Sequence, residues 1–301
     1  MDMMELELRH DRNARLFGAT GQKRLYQQSV VLAGTGGLGS AVAQHLALLG
    51  IKKIVPIDDE GLSETNRNRF VGAHHSDPAP GTRKVSIIER LVKDIDPSIA
   101  VDPVFDNFVS PAGFNAIRTA SWVFGCFDED GPRSILNDLC VAYNVPLIDL
   151  ASDVPEEGIY GGRVTVVAAG LGCLHCREIL DEDDIRRFLT TDEQLEVEDK
   201  VYGIENKHLE KKGPAVSPIN GVIASLATME FMSAVTGLRD PTPNISYLGH
   251  QSKVTVNHDK PNPDCLICAS RDTGAIAGIE RYLEIPHIRN RRIRKFAEDP
   301  E

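Results

Sequence analysis

The fold is decided by the stretch Val30-Val31-Leu32-Ala33-Gly34-Thr35-Gly36-Gly37-Leu38-Gly39. Four apolar residues run into a glycine-dense turn, and Gly50 stands where a helix favours a left-handed C-terminal residue. Between them the apolar residues recur at the spacing of one helix face, namely Leu38, Val42, Leu46 and Leu49. The pattern predicts a strand, a tight turn and a helix, with glycines where a phosphate would approach backbone N–H groups at a helix N-terminus.

The next segment completes a nucleotide-binding βαβ unit. Lys53 to Ile57 predicts the second strand, and Asp58 ends it. An acidic residue at about this distance from the glycine turn holds a ribose hydroxyl in the dinucleotide-type fold. Together, the turn and the aspartate favour a nucleotide site.

Further helices and strands of the same type follow. A helical pattern opens at Lys84 and ends before Pro97, so the lysine either faces the phosphates or is a solvent-exposed residue at a helix start. Acidic residues come directly after a fourth strand, where α/β sheets bind ligands and can hold Mg²⁺, in Phe127-Asp128-Glu129-Asp130. The remaining strands of this half are expected at Val101–Val104, Trp122–Cys126 and Pro146–Leu150.

The second half differs in character. Tyr160 to Val167 alternates like an antiparallel strand, and residues 177–213 are so charged that we expect a mobile surface segment, partly helical. Ser217-Pro218 predicts an N-cap and a first-turn proline for an apolar helix, Ile219 to Val235, that lies in the core or in a subunit interface. Two more strands are expected at Ile245–Leu248 and Lys253–Asn257.

These patterns predict one α/β fold. A Rossmann-like nucleotide-binding sheet is continued by antiparallel strands, and the C-terminal half is stapled by zinc. The predicted organisation is an N-terminal helical segment (1–29), a main domain (30–270) whose charged crossover loop spans 177–213, and a C-terminal tail (271–301). The basic cluster from Arg289 to Lys295 is most simply a solvated end of that tail.

Four of the six cysteines form two C-x-x-C pairs, Cys173/Cys176 and Cys265/Cys268. In a reducing compartment two such pairs indicate a four-thiolate zinc site rather than disulfides. Neither pair opens a helix after a buried strand, which disfavours a redox motif. Four sulfur ligands leave no position for a substrate, so the zinc would be structural.

The amino-acid composition limits the classes of partner that this protein is expected to bind. Across 301 residues, 33 Lys and Arg face 44 Asp and Glu, a net charge of −11 that argues against a general nucleic-acid binder. No apolar run approaches the length of a membrane span, and the charged start, Met1 to Arg15, lacks the apolar core of a signal peptide. We therefore expect a cytoplasmic protein. Arg9, Arg12 and Arg15 are expected on one helix face, most simply a solvated one.

The order of these motifs resembles one family, the ThiF/MoeB adenylyltransferases related to ubiquitin-activating enzymes, from Arg9 to Cys268. The family opens with R-x-x-R and a later glutamine, then a G-x-G-G-x-G turn, a ribose-binding aspartate, N-x-x-R, a phosphate-binding lysine, a magnesium-binding aspartate and paired C-x-x-C motifs. The matching residues are Arg9 and Arg12, Gln22, Gly34 with Gly36, Gly37 and Gly39, Asp58, Asn66 and Arg69, Lys84, Asp128 and the four paired cysteines. Gly213-Pro214-Ala215-Val216-Ser217-Pro218 resembles the family segment before its C-terminal helix.

The resemblance implies an ATP-dependent reaction. A carboxylate, typically the C-terminus of a small ubiquitin-like or sulfur-carrier protein, attacks the α-phosphorus of ATP, and pyrophosphate leaves. Arg69 and Lys84 would hold the phosphates, Asp128 the Mg²⁺ and Asp58 the ribose. Because the family is dimeric, Arg12 would reach the site from a second copy of a homodimer.

Three departures from the family pattern stand out. Gly125 and Glu129 replace the first and last residues of its D-x-x-D-N motif, and Phe70 replaces a common glutamine. Residues 177–217 contain no cysteine, whereas members that pass the acyl group to sulfur use one there. The spare thiols, Cys126 and Cys140, fall in a strand end and an apolar helix. We therefore predict adenylation without an enzyme-bound thioester or persulfide.

Other functions remain open from sequence. The acyl group could pass to a thiol, a sulfur donor or an amine within a peptide, and a tRNA-modifying branch of the superfamily activates a carboxylate on a nucleoside. An NAD-dependent oxidoreductase would give no role to Asn66, Arg69 and Lys84. A non-catalytic subunit that docks a ubiquitin-like protein would not need the phosphate and Mg²⁺ residues.

Overall fold

A computed structural model describes residues 8–191, 193–195, 215–268, 278–285 and 288 of the chain. The helices are α1 (Asp11–Tyr26), α2 (Gly37–Leu49), α3 (Lys84–Ile95), α4 (Pro111–Thr119), α5 (Asp130–Ala142), α6 (Glu182–Leu189) and α7 (Ser217–Thr236). The strands are β1 (Ser29–Ala33), β2 (Lys53–Ile57), β3 (Ala100–Val101), β4 (Trp122–Gly125), β5 (Leu147–Glu156), β6 (Ile159–Val167), β7 (Asn244–Leu248) and β8 (Lys253–Asn257).

All eight strands form one mixed sheet in the order β3-β2-β1-β4-β5-β6-β7-β8. The pairs from β3 to β5 are parallel, and those from β5 to β8 are antiparallel. The α/β class and the antiparallel continuation are confirmed. The strand order reverses direction between β1 and β4, and ligands bind at such a switch point outside the carboxyl ends of the strands.

Both faces of the parallel part are buried, which is why β1 is apolar along its whole length. Val30 and Leu32 face a core formed with α2, α3 and α7. Val31 and Ala33 face a second core formed with α4 and α5. Helix α2 ends at Gly50, whose φ of 74° is the left-handed conformation expected there.

The apolar helix after the charged loop begins at Ser217, earlier than the predicted Ile219. Ser217 is the first helical residue and Val216 occupies the N-cap position, so the predicted Ser217 side-chain cap is wrong. Pro218 lies in the first turn, where its missing N–H costs nothing. Gly237 ends the helix at φ 81°.

Within the described residues, α7 is the one helix long and apolar enough to cross a membrane, so the expectation that no apolar run reaches that length is wrong. More than half of its apolar window is buried inside the fold. It packs against α1, α2, β5 and β6. Glu230, its buried charge, is bound by Arg239 at 2.7 Å and by the backbone N–H of Thr242 at 2.8 Å.

The charged crossover is partly helical, as the sequence predicts, and the predicted tail also contains a short helix. Residues 182–189 of the charged crossover form helix α6, which packs on α5, while residues 196–214 lie outside the described chain. Ile279–Glu284 of the predicted tail form a 3-10 helix that also contacts α5. The basic cluster from 289 to 295 lies outside the described residues.

The spacing of Arg9, Arg12 and Arg15 predicts that they share one helix face, and this prediction is wrong for Arg9. Arg9 precedes α1, because the backbone breaks from helical geometry at His10, and it pairs with Asp96 at 3.0 Å. Arg12 and Arg15 lie in α1 and are exposed, and Arg15 pairs with Asp11 at 2.6 Å.

Candidate active site

The glycine turn lies at the sheet switch point, between β1 and the N-terminus of α2. Gly34 has φ 87°, a conformation that strains any residue with a side chain. A Cβ on Gly39 would lie 2.2 Å from the carbonyl oxygen of Gly34, so the turn closes only around glycine there. A Cβ on Gly36, in contrast, would meet no atom within 4 Å. The space above Gly36 is therefore free for a ligand at the positive end of the helix dipole.

Asp58 follows β2 and lies beside this turn. Its carboxylate is buried and accepts hydrogen bonds from the Thr35 backbone N–H at 2.7 Å, the Thr35 hydroxyl at 3.0 Å and the Glu60 N–H at 2.9 Å. Because a carboxylate has about four acceptor positions, Asp58 can still accept a hydroxyl hydrogen bond. The sequence motif and the structure thus bring Asp58 and the glycine turn together.

Arg69 lies on the other side of the turn. Its side chain runs along Gly37, where a Cβ would come within 3.0 Å of the arginine Cγ. The guanidinium donates to the Thr65 carbonyl at 2.5 Å and to Asn68 Oδ1 at 3.0 Å. Asn66, predicted as a nucleotide ligand, accepts from the Ser63 N–H at 3.3 Å in a capping box. Its position supports the loop that carries Arg69.

Lys84 is the first residue of α3, as the sequence predicts, and its side chain is buried. The ammonium group forms an ion pair with Glu60. Lys84 lines neither of the two cavities around the turn described below. A phosphate would therefore have to compete with Glu60 for this cation.

Asp128 is exposed directly after β4, at the carboxyl edge of the sheet. Glu129 and Asp130 follow it, and Glu129 lines the cavity beside Asp58. Carboxylate oxygens at this edge are the ligands that Mg²⁺ prefers, so the donor set fits the predicted magnesium site.

A buried charge cluster beneath this edge is not predicted by the sequence motifs. Asp149, fully buried on β5, accepts from Arg163 at 2.9 Å, and Arg133 of α5 lies 3.7 Å from its other oxygen. Burial lowers the pKa of Arg163, although Asp149 opposes that shift. The sequence signal that points to this cluster is the presence of charged residues within otherwise apolar segments.

The cluster explains one departure from the family motif. A Cβ on Gly125 would lie 3.4 Å from Asp149 Oδ1 and 3.0 Å from Leu136. An aspartate at 125 would place a second carboxylate against the first in a buried site, which is unfavourable. Phe70, which replaces the family glutamine after Arg69, is buried in the core.

Two cavities flank the glycine turn. The first has a volume of about 40 Å³ and is lined by residues that include Gly34, Asp58, Asn107, Phe127, Phe188 and Ile288. The second is a groove of about 520 Å³ between α2 and α7, lined by residues that include Gly37, Arg69, Gln44, His45, Ser217 and Ser225. His45 and Ser225 lie 3.2 Å apart there, and burial lowers the pKa of His45.

The four paired cysteines meet in one cluster, as the sequence predicts. Their sulfur atoms all lie within 4.8 Å of one another, with Cys173 3.6 Å from Cys265 and Cys176 4.0 Å from Cys268. Zn–S bonds of about 2.3 Å in a tetrahedral site require sulfur separations close to these. The donor set therefore fits a metal ion such as zinc.

The two remaining cysteines are packed in the fold. Burial raises the pKa of Cys140, and burial together with Asp149 raises that of Cys126. A thiol with a raised pKa is a poor nucleophile near neutral pH.

Comparisons with known proteins identify the family of this chain. The model of the ThiF family matches residues 10–267. "Protein HesA, vegetative" of Trichormus variabilis is 24% identical over 84% of this chain and 85% of its own length. The molybdopterin-synthase adenylyltransferase of Escherichia coli is 28% identical over 87% of this chain and 96% of its own. The crystal structure of Escherichia coli MccB with succinimide has a TM-score of 0.69 at 22% identity, covering 87% of this chain and 73% of that one.

The fold, the glycine turn and these relatives define an enzyme of the adenylyltransferase class. The chain belongs to the ThiF family.

Proposed function

We propose that this enzyme activates a carboxylate as an acyl-adenylate, using ATP. The proposed substrate is the C-terminus of a small ubiquitin-like or sulfur-carrier protein, or of a peptide. The observation that carries the proposal is the open space over Gly36, between Asp58 on one side of the turn and Arg69 on the other. A nucleotide that reaches from the aspartate to the arginine would lay its phosphates across that space.

The proposed adenylation requires the enzyme mainly to position its two reactants and to neutralise negative charge. An oxygen of the substrate carboxylate attacks the α-phosphorus of ATP, the bond from that phosphorus to the bridging oxygen breaks, and pyrophosphate leaves. A carboxylate is already a nucleophile, so no general base is required. The protein must hold the two reactants together and neutralise the phosphate charge.

The proposed roles follow from the site residues. The backbone of Gly34, Gly36, Gly37 and Gly39 and the charges of Arg69 and Lys84 would hold the phosphates, with Asn66 supporting the loop of Arg69. Asp58 would bind the ribose and Asp128 the Mg²⁺, which would further neutralise the triphosphate when bound. For Lys84 to act, its ion pair with Glu60 must give way to a phosphate.

No described cysteine supplies a thioester. Cys126 and Cys140 are packed with raised pKa values, and the other four form the metal-type cluster. By sequence, residues 177–217 add none. We therefore propose that the acyl-adenylate itself is the product released to an acceptor.

The test of the reaction is ATP–pyrophosphate exchange with glycine-ended small proteins and peptides. A catalytic enzyme exchanges label with the right carboxylate, and Lys84→Ala should lower the rate at least about 100-fold, as expected for the loss of a charge-stabilising group. A subunit that only docks a ubiquitin-like protein would show no exchange with any of them.

The homodimer and the role of Arg12 are tested by mixing. If Arg12 acts across the dimer, Arg12→Ala and Lys84→Ala proteins are each inactive, but their hybrid contains one complete site. Mixing them should restore roughly a quarter of the exchange activity if subunits redistribute at random. Arg15→Ala, which removes an exposed arginine of the same helix, is the matched control and should stay active. Full activity of Arg12→Ala would contradict the role.

A further inference from the structure

The cavity beside Asp58 is too small for a nucleoside. Its volume is about 40 Å³, whereas small-molecule sites enclose roughly 300 Å³ or more. A space of this size holds a few water molecules. If the proposed function is right, something that lines this cavity must move before ATP can bind.

Two of the apolar residues that line the cavity come from segments that follow the parallel strands of the sheet in the chain. Phe188 belongs to α6 in the charged crossover, and Ile288 belongs to the C-terminal segment. Ile288 is 1% exposed although it lies beyond residue 267, where the family match ends. The residues around them are fixed by the sheet, since Gly34, Ile57 and Phe127 follow or end its central strands.

Helix α6 is fastened to α5 by a reciprocal cap. Asp184 accepts from the backbone N–H groups of Asp130 at 2.7 Å and Gly131 at 3.2 Å, and Asp130 accepts from the Asp181 N–H at 2.9 Å. Phe188 packs where Gly131 has no side chain, since a Cβ there would lie 2.3 Å from the phenylalanine Cβ. These contacts hold Phe188 in the cavity wall.

The C-terminal segment is fastened to the same helix. The Tyr282 hydroxyl donates to Asp138 of α5 at 3.1 Å, and Ile279 is buried in the adjacent core. The Ile288 N–H donates to the Ile285 carbonyl at 3.2 Å. Neither fastening includes a hydrogen bond of the sheet, so both can release while the sheet stays intact.

We propose that Phe188 and Ile288 are a two-part plug that fills the nucleoside end of the site in the ligand-free enzyme. ATP binds only to the fraction of molecules in which the plug is displaced. The C-terminal segment thus regulates the same site whose activity is proposed above, and the inference rests on that proposed function.

The test compares ATP affinity of the full chain, by calorimetry, in wild type, Ile288→Ala, Ile288→Val and Ile245→Ala. Because apparent affinity scales with the open fraction, removing the plug side chain should tighten binding about fivefold or more. Ile288→Val should lie between wild type and Ile288→Ala. Ile245→Ala is the matched control, since Ile245 of β7 is a buried isoleucine that belongs to the other core and does not line the cavity, and its affinity should not change. Unchanged or weaker binding by Ile288→Ala would make Ile288 a permanent wall and overturn the proposal.

Hydrogen exchange tests the plug without nucleotide. Backbone amides at 106–110, which border the cavity, should exchange faster in Ile288→Ala than in Ile245→Ala. Equal exchange in the two variants would overturn the plug. If no variant binds ATP, the proposed function fails, and the exchange result still decides whether Ile288 seals the cavity.

Discussion

Gly36 and Gly39 lie three residues apart in one turn, yet the space around them differs. A side chain on Gly39 would collide with the Gly34 carbonyl, whereas one on Gly36 would meet nothing. Gly39 is therefore required by the fold, and Gly36 is required only if a ligand lies on it. The same residue type serves two purposes that a sequence motif cannot separate.

This difference gives a prediction at the residue scale. Gly36→Ala should melt within about 2 °C of wild type, because its methyl group enters open space, but lose ATP–pyrophosphate exchange at least about tenfold, because that space is the proposed phosphate site. Gly39→Ala is the comparison and should be destabilised by roughly 1–3 kcal/mol through overpacking. Thermal melting and exchange are measured on both. Normal exchange by Gly36→Ala would place the phosphates elsewhere.

At the scale of elements, the loop that carries Arg69 is held by charge. Arg67 donates to the His74 carbonyl at 2.7 Å, and Arg90 of α3 binds Asp77 through two hydrogen bonds of 2.8 and 2.7 Å. These contacts fasten the loop to α3. The position of Arg69 along the glycine turn thus depends on groups outside the site.

The Asp77–Arg90 pair makes stability depend on pH. The hydrogen bond from Arg90 lowers the pKa of Asp77 from 3.8 to about 2. A depressed folded-state pKa adds stability that is complete above the unfolded value and is lost as the pH falls towards 2. The difference in melting temperature between wild type and Asp77→Asn should therefore shrink between about pH 5 and pH 2. A difference that stays constant over this range would show that Asp77 does not titrate with the fold.

The sequence predicts the elements that carry strong local patterns. The bounds of β2 and α3 are confirmed, because apolar periodicity and terminating residues such as Pro97 act within a few residues. Helix α6 is predicted only as part of a partly helical segment, because its position depends on Asp184 capping the N-terminus of α5, a contact between distant segments. Strand β5 continues past Leu150 to Glu156, since its second half pairs with β6.

The site could be predicted only where each contributing segment carries a recognisable local motif. The glycine turn, Asp58 and the paired cysteines met as expected, because each motif occupies one strand end or one loop. Phe188, Ile288 and the Asp149 cluster depend on contacts between distant segments, which carry no local pattern. The roles of Arg12, Lys84 and Asp128, like the cytoplasmic location, stay predictions.

At the scale of the whole molecule, the cysteine cluster joins two distant segments. Cys173 and Cys176 follow β6, and Cys265 and Cys268 follow β8. The first pair is also tied to α5, because the Leu174 N–H donates to Asn137 at 3.0 Å. A metal bound here would hold the antiparallel half against α5.

Zinc removal is therefore expected to loosen the C-terminal half. The purified protein should contain one zinc per chain, and a strong chelator should lower its melting temperature by roughly 5–10 °C, since structural zinc contributes folding free energy. Cys265→Ser should lose the metal. Cys126→Ser, which changes a cysteine outside the cluster, is the control and should keep it. Full zinc loss without a change in melting temperature would contradict a structural role.

Strand β5 bonds to a parallel neighbour along its first residues and to an antiparallel one along its whole length. The half that carries the glycine turn and the half that carries the cysteine cluster consequently share one strand. Neither half can therefore rotate as a rigid body against the other. If residues up to about 150 were expressed alone, β5 would be an unpaired edge strand, and the fragment would be prone to self-association. Access for reactants must come from movement at the periphery, around a centre that stays still.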